Sequence, residues 1–132
     1  MRRVIAALAG ALAGAVPLTA CGGHTPPAAA PQPQHTATYS VVAANDAAVT
    51  ARTKVSYVDG EGMPQGATVS PTTWTQSFTF TKSRLTLEVE ASADSDGMSA
   101  EPKLQCSIAI DGKTMTTKSD FRHVVCFARL PQ

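Results

Sequence analysis

Three cysteines carry the most reactive side chains of this 132-residue chain. Cys21 follows an apolar N-terminal run, whereas Cys106 and Cys126 lie near the other end. Thiols can be acylated, bind a metal or form a disulfide. His123 lies near Cys106 and Cys126 in the sequence, but the chain offers no further pair of ligands. A metal site at these cysteines therefore has weak support. If the chain is exported, a disulfide between Cys106 and Cys126 is expected, because disulfides persist outside the cytoplasm.

The N-terminus predicts export. Arg2 and Arg3 precede an apolar run over residues 4–18, which ends in the sequence LTAC at 18–21. A basic start, a short apolar run and a small-residue cleavage site are typical of a secretion signal. The LTAC sequence resembles a lipobox, the cleavage motif of bacterial lipoproteins. In sequences with this motif, signal peptidase II cuts before the cysteine, and the thiol and the new amino group of that cysteine are then acylated. We therefore expect residues 1–20 to be removed and Cys21 to anchor the chain in the cell membrane through lipid.

An uncleaved membrane helix is the alternative for this segment. Residues 4–20 are only 17 in number and include Pro17. A membrane-spanning helix needs roughly 20 predominantly apolar residues. The length and the proline favour the removed signal.

One histidine invites a hydrolase interpretation, because His123 follows Ser119 and Asp120 closely. No G-x-S-x-G motif accompanies it, and neighbouring residues of a strand point to opposite faces of a sheet. The three side chains are therefore poorly placed to converge as a catalytic set. The sequence predicts no enzyme activity and implies no cofactor.

Acidic residues in two places could serve as metal ligands or catalytic acids. The stretch DSDG at 94–97 begins like a calcium loop, but Met98 occupies the next ligand position. Glu88 and Glu90 alternate with apolar residues, which is typical of the solvent face of a strand. Trp74 is expected to belong to a core rather than to a ligand platform. None of these residues is predicted to form a metal or catalytic site.

Charge excludes one class of partner. Without residues 1–20 the chain has 112 residues, nine basic and ten acidic. A net charge near −1 provides no electrostatic basis for binding nucleic acid. It also argues against a polybasic membrane patch, so lipid on Cys21 is the expected membrane attachment.

Composition divides the mature chain into a tether and one domain. Residues 21–38 contain four prolines and no charged or aromatic side chain, so they cannot bury a core. Such a proline-rich tether extends about 3.1 Å per residue, up to roughly 50 Å in all. Every aromatic residue lies between Tyr39 and Phe127. The predicted folded domain is therefore 39–130.

The domain has the period-two pattern of half-buried strands. Examples are WTQSFTF at 74–80 and LTLEVEA at 85–91. The continuous apolar run VVCF at 124–127 suits a central strand covered on both faces, or one twisted across a sandwich. Asp111-Gly112 predicts a type I′ hairpin turn. No segment sustains a helical period.

About seven strands follow from this pattern. They are 39–44, 48–58, 74–80, 84–93, 104–110, 113–118 and 121–128. This number and spacing favour an all-β fold, an antiparallel immunoglobulin-like β-sandwich with one disulfide. A small barrel is the alternative, which periodicity does not separate from it.

Residues 39–128 resemble the MmpS family, small mycobacterial membrane proteins that work beside MmpL transporters of the resistance-nodulation-division type. The strongest part of the resemblance is CSIAIDGK at 106–113, which matches C-x-I-x-[VI]-D-G-K, followed by VVC at 124–126. VSY at 55–57, Trp74 followed by Phe78, and LTLEVEA at 85–91 are similar to further family segments. Two features differ. Residues 71–74 read PTTW where a proline directly before the tryptophan is expected, and a lipobox replaces the family's membrane-spanning helix.

The resemblance implies an extracytoplasmic, disulfide-bonded sandwich that assists export of lipids or siderophores beside an MmpL-type transporter. It implies neither a cofactor nor a catalytic residue. We expect a lipid-anchored accessory protein on the extracytoplasmic face of the cell membrane. The alternative is a free-standing envelope lipoprotein that binds a hydrophobic ligand or another surface protein.

Overall fold

The computed structural model describes residue 23 and residues 26–69, 73–82 and 84–130. The chain divides into two units, Met1–Ala30 and Pro31–Gln132. In the first unit, residues 23 and 26–30 have no regular secondary structure and are exposed. Cys21 and the predicted signal peptide lie outside the described residues. Within the described ranges, no helix is long and apolar enough to cross a membrane.

The described part of the second unit contains eight strands and one short helix. In chain order these are β1 (His35–Ala43), α1 (Asp46–Thr50), β2 (Thr53–Val58), β3 (Pro64–Val69), β4 (Thr73–Phe80), β5 (Thr86–Ala93), β6 (Lys103–Ile110), β7 (Lys113–Phe121) and β8 (His123–Arg129). The strands form two four-stranded antiparallel sheets, in the orders β4-β1-β6-β7 and β3-β2-β5-β8. The predicted all-β fold, an antiparallel β-sandwich, is therefore confirmed, with eight strands among the described residues where about seven were predicted.

The core lies between the sheets and follows the predicted alternation. Leu87, Val89 and Ala91 of β5 are fully buried, while Glu88 and Glu90 between them lie on the outer face. In β4, Phe80 is buried and Trp74 and Phe78 pack against the core from the same face. A fully buried leucine or valine side chain contributes about 1.5–3 kcal/mol, so this alternation supplies much of the domain's stability.

The disulfide joins the two sheets. Cys106 of β6 and Cys126 of β8 are both fully buried, and their Cα atoms are 6.0 Å apart. This confirms the predicted pairing. The bond places β6 opposite β8 across the sandwich.

Three local features differ from the sequence prediction. Strand β3, Pro64–Val69, was not predicted, because it carries proline and glycine and lacks an apolar alternation. Strand β1 begins at His35, so residues 35–38 belong to a sheet although composition assigned them to the tether. The prediction of a strand from residue 48 is wrong, because residues 46–50 form α1.

Helix α1 depends on one capping side chain. Asn45 Oδ1 accepts hydrogen bonds from the backbone N–H of Ala48 at 3.0 Å and of Lys103 at 2.9 Å. Asn45 Nδ2 donates to the carbonyl oxygen of Glu101 at 2.9 Å. The asparagine thus starts the helix and ties it to β6, which a periodicity analysis does not detect.

The β6–β7 hairpin turn has the predicted geometry. Asp111 and Gly112 have φ values of 51° and 79°, which are the positive values that a type I′ turn requires. Asp111 also fastens the first strand: its carboxylate accepts hydrogen bonds from His35 Nδ1 at 2.7 Å and the N–H of Thr36 at 2.8 Å. Both hydrogen bonds lower the pKa of Asp111 below its usual value, and the bond from His35 has the larger effect.

Candidate functional site

The last two strands meet at a sharp corner and form one side of the sandwich. Strand β7 is an edge strand of one sheet, and β8 is an edge strand of the other. A single residue connects the two strands, Arg122, which has a φ of 63°. Two hydrogen bonds hold this corner: Arg122 N donates to Pro102 O at 2.8 Å, and Ala93 N donates to Arg122 O at 2.7 Å. We call residues 113–129, which form this side, the β7–β8 edge.

Of the five large apolar side chains that are exposed among the described residues, three lie on the β7–β8 edge. Phe121 and Phe127 are each 50% exposed, and Met115 is also exposed. Two cations lie against the rings: Lys103 Nζ is 5.4 Å from the centre of the Phe121 ring and Lys118 Nζ is 5.9 Å from that of Phe127. Half-exposed aromatic rings flanked by cations are common at protein contact surfaces.

The β7–β8 edge also differs in charge from the rest of the domain. Residues 113–129 contain four basic and one acidic side chain, a net charge of +3 without His123. Residues 39–111 contain five basic and nine acidic side chains, a net charge of −4. The near-neutral total therefore conceals a basic side and an acidic remainder, which favours association with acidic partners.

His123 pairs with a glutamate of the neighbouring strand. His123 Nε2 and Glu90 Oε1 are 2.7 Å apart on the outer face of the sheet, and Ser56 Oγ lies 3.5 Å from Glu90 Oε2. The glutamate is central in this row, whereas serine hydrolysis needs histidine between the serine and the carboxylate. The contacts fit a polar surface row that links β2, β5 and β8.

The predicted neighbours of His123 make other contacts. Ser119 Oγ donates to Gln105 Oε1 at 3.3 Å, and Asp120 Oδ1 accepts from the N–H of Phe121 at 2.8 Å. All three residues border one open groove of about 400 Å³, lined by Lys118, Ser119, Asp120, His123, Val124 and Val125. Among the described contacts, none joins two of the three side chains. The groove brings them to one place without assembling a catalytic set.

Two further depressions lie elsewhere on the surface. Arg52, Lys54, Ser92, Ala93 and Asp94 line one of about 220 Å³ at one end of the β2–β5 pair. Gln32, Thr81, Lys82, Arg84 and Leu85 line another of about 410 Å³. In the part of the chain that the structure describes, no group of three or more histidine, cysteine, aspartate or glutamate residues could hold a metal ion.

The β7–β8 edge was not predicted from the sequence, because the apolar run at 124–127 suits a central strand covered on both faces, or one twisted across a sandwich. Strand β8 pairs with β5 alone among the described strands, and its outer face exposes Phe127 beside the partly buried Val125. The apolar run arises because Val124 and Cys126 face the core while Val125 and Phe127 face outward. The excess of basic over acidic residues in 113–129 is the sequence feature that could have indicated this edge.

The segments that carry the family resemblance lie at structurally important positions. Residues 106–113 comprise most of β6, its hairpin turn and the first residue of β7, and residues 124–126 belong to β8. Tyr57 contacts both Tyr39 and Trp74, with ring centres 5.8 and 5.4 Å apart. No protein-family model matches the chain, and no curated protein matches it in sequence.

Proposed function

We propose that this protein is a lipid-anchored envelope protein whose sandwich acts as an MmpS-like accessory to transporter-mediated export of lipids or siderophores. The proposal combines three expectations from the sequence: a lipobox at Cys21, the resemblance over residues 39–128, and an MmpL-type transporter as partner. The observation that carries it is the CSIAIDGK segment at 106–113, joined through Cys106 to Cys126 on the opposite sheet. A disulfide of this kind suits an exported domain.

Contact with another protein is the mode of action that the surface favours. The grooves described above are open to solvent, whereas sites for small apolar ligands are enclosed and bury most of the ligand. The β7–β8 edge instead offers exposed phenylalanines and a local excess of positive charge. These features support an adaptor that binds protein, and they weigh against a carrier that encloses its cargo.

Cross-linking in the native envelope tests the proposal. The full chain with a C-terminal tag is cross-linked in cells, captured, and analysed by mass spectrometry. A matched control carries residues 1–34 of this chain fused to an unrelated secreted sandwich, so that it shares the lipid anchor and the tether. We expect an MmpL-type transporter with the full chain and not with the control.

A deletion strain provides the functional readout. Loss of the gene should reduce export of lipids or siderophores, and the full chain should restore it. Repeated recovery of no transporter, together with normal export in the deletion strain, would reject the proposal. Lipid that copurifies in a fixed ratio with the domain would favour the alternative, a free-standing lipoprotein that binds a hydrophobic ligand.

A further inference from the structure

At the β7–β8 edge, one sheet extends farther sideways than the other. The disulfide sets β6 opposite β8, the last strand of the other sheet. Strand β7, which follows β6, therefore has no strand of the other sheet opposite it. The register agrees: Lys118 pairs with Cys106 and Asp120 with Leu104, so both charged side chains point toward the interior side of the sheet. Both are nevertheless exposed. We call the uncovered space between the free side of β8 and the inward-facing Lys118 and Asp120 of β7 the ledge.

The ledge lies next to a strand edge that is free among the described residues. Strand β8 pairs on one side with β5, so the backbone groups of its other side are available to a further strand. Antiparallel sheets commonly bind extended segments in this way, with main-chain hydrogen bonds providing affinity and alternate side chains providing specificity. The groove bordered by Val124 and Val125 opens at this edge.

The other three edges have features that discourage such pairing. Strand β3 is six residues long and contains Pro64 and Gly66, and β7 points the charged Lys118 and Asp120 inward. The turn after β2 covers one end of β4, where a Cβ at Gly60 would collide with the carbonyl oxygen of Thr79. Strand β4 also carries none of the exposed large apolar side chains. Strand β8 contains neither proline nor glycine, its inward-facing side chains are uncharged, and it exposes Phe127, over whose ring Lys118 Nζ lies.

Charge decides between the candidate occupants. Two copies of this chain that paired through β8 would bring together two edges of net charge +3 each, which opposes dimerisation. An acidic segment would instead be attracted by Lys118, Arg122 and Arg129, which surround the strand. The backbone groups of β8 also need hydrogen-bond partners that a lipid surface does not supply as a strand does.

We propose that β8 accepts an extended acidic segment of a partner protein as the fifth strand of its sheet, lying on the ledge. The inference rests on the proposed function insofar as that function requires a protein partner, and it names the surface used. Side chains of the segment on one face would meet Lys118, Thr116 and Asp120 of β7. Those on the other face would lie beside Val125 and Phe127. The occupant is therefore acidic or hydroxylated on one face and apolar on the other.

Defined peptides test this pattern on the purified full chain. The probe is a synthetic peptide in which valine alternates with glutamate and threonine, and its control has lysine in place of glutamate. Hydrogen exchange followed by NMR reports which amides become protected. We expect the acidic peptide to protect amides of β8, and the lysine peptide to bind about tenfold more weakly or worse.

Matched variants locate the site. Phe127→Glu and Lys118→Glu should each weaken binding of the acidic peptide by about tenfold. Met63→Glu likewise replaces an exposed apolar side chain by an acidic one, and Lys54→Glu makes the same change as Lys118→Glu; both lie away from the β7–β8 edge and should leave binding unchanged. An intact disulfide and an unchanged circular dichroism spectrum verify that each variant is folded.

Several results would overturn the inference. These are equal binding of the two peptides, protection on β4 rather than β8, or a dimer that sedimentation shows to be lost in Phe127→Glu. Binding to phosphatidylglycerol vesicles that depends on Phe127, without peptide protection of β8, would assign the edge to a membrane instead. If the Phe127→Glu chain captures the transporter as strongly as the unaltered chain does, the ledge is excluded while the proposed function stands. If the unaltered chain binds the peptide but captures no transporter, and the deletion strain exports normally, the proposed function fails alone.

Discussion

Tyr39 links the two sheets through a single hydrogen bond: its Oη donates to the carbonyl oxygen of Val58 at 2.7 Å. Tyr39 lies on β1 and is fully buried, while Val58 ends β2 in the opposite sheet. The ring also packs edge-on against Tyr57 and Phe78, with ring centres 5.8 and 5.1 Å apart. One side chain thus combines an apolar contact in the core with a polar tie between the sheets.

Replacing Tyr39 by phenylalanine should destabilise the domain by about 1–2 kcal/mol. The variant retains the ring but leaves the Val58 carbonyl oxygen without this donor, and a lost partner costs more than the net value of a hydrogen bond. Urea denaturation of the two proteins measures the difference. Equal midpoints would show that water replaces the hydroxyl at no cost.

Alkaline pH should destabilise the domain through the same residue. Burial, the largest influence, raises the pKa of Tyr39 well above the ordinary tyrosine value of 10.0. The stability linked to the neutral phenol is fully present below the unfolded pKa, and it is lost as the pH rises from there toward the folded pKa. Unfolding measured at about pH 9 and about pH 11 should therefore show a smaller loss in Tyr39→Phe than in the unaltered protein.

Asp111 should contribute to stability in the opposite pH range. Because the hydrogen bond from His35 lowers its pKa, its contribution is present above the unfolded value of 3.8 and is lost as the pH falls through the folded value. Asp111→Asn, which tolerates the positive φ, should reduce the acid sensitivity of unfolding. Asp96→Asn, in an exposed turn, is the matched control for the loss of one carboxylate. Equal acid sensitivity of the Asp111→Asn and unaltered proteins would contradict this role.

Removal of the disulfide should cost a few kcal/mol. The bond closes a loop of 20 residues, for which the chain-entropy estimate is about 3 kcal/mol. Cys106→Ser should lower the denaturation midpoint accordingly, whereas reducing agent should have little further effect on that variant. Free-thiol labelling of the native, unaltered protein provides the check on the premise, since two reactive thiols at Cys106 and Cys126 would refute the bond.

Thr53 should tolerate loss of its hydroxyl group. It is fully buried, and its Oγ1 makes no hydrogen bond with any described residue. Valine has almost the same shape and removes the cost of burying an unpaired polar atom, so Thr53→Val should stabilise the domain by about 1 kcal/mol. Thr53→Ala is the matched control, because it removes the hydroxyl but leaves a cavity and should destabilise. A less stable valine variant would mean that the hydroxyl has a partner, such as bound water.

Gly60 should resist substitution, because it is buried although it lies in a turn. A Cβ at this position would collide with the backbone of Thr79, which has no flexible atoms to move away. Gly60→Ala should therefore destabilise by about 1–3 kcal/mol. At Gly66 the nearest atom to an added Cβ is the Val55 carbonyl oxygen at 3.8 Å, an ordinary contact. Gly66→Ala thus provides the comparison, and similar losses in both variants would contradict the steric explanation.

Local patterns predicted those parts of the fold that depend on neighbouring residues. The alternation around Leu87 and Val89 predicted which side of β5 is buried, and Asp111-Gly112 predicted the hairpin turn. Strand β3 could not be predicted in this way, because Pro64 and Gly66 take extended conformations there through pairing with β2, a contact remote from their own sequence. Helix α1 likewise depends on Asn45, which is held by residues 101 and 103 of a distant segment.

The sequence alone determined the fold class, the cysteine pair and the separation of a proline-rich segment from a β-domain, because alternation, thiol chemistry and composition act locally or are properties of the whole chain. Only the tertiary structure decided which strands lie at the edges. Val124 to Phe127 reads as uniformly apolar whether β8 is central or at an edge. The disulfide of Cys106 and Cys126 sets β6 opposite β8 and leaves the inward-facing Lys118 uncovered. The ledge exists because two sheets pack with an offset, and that offset is a relation between distant segments that no local pattern encodes.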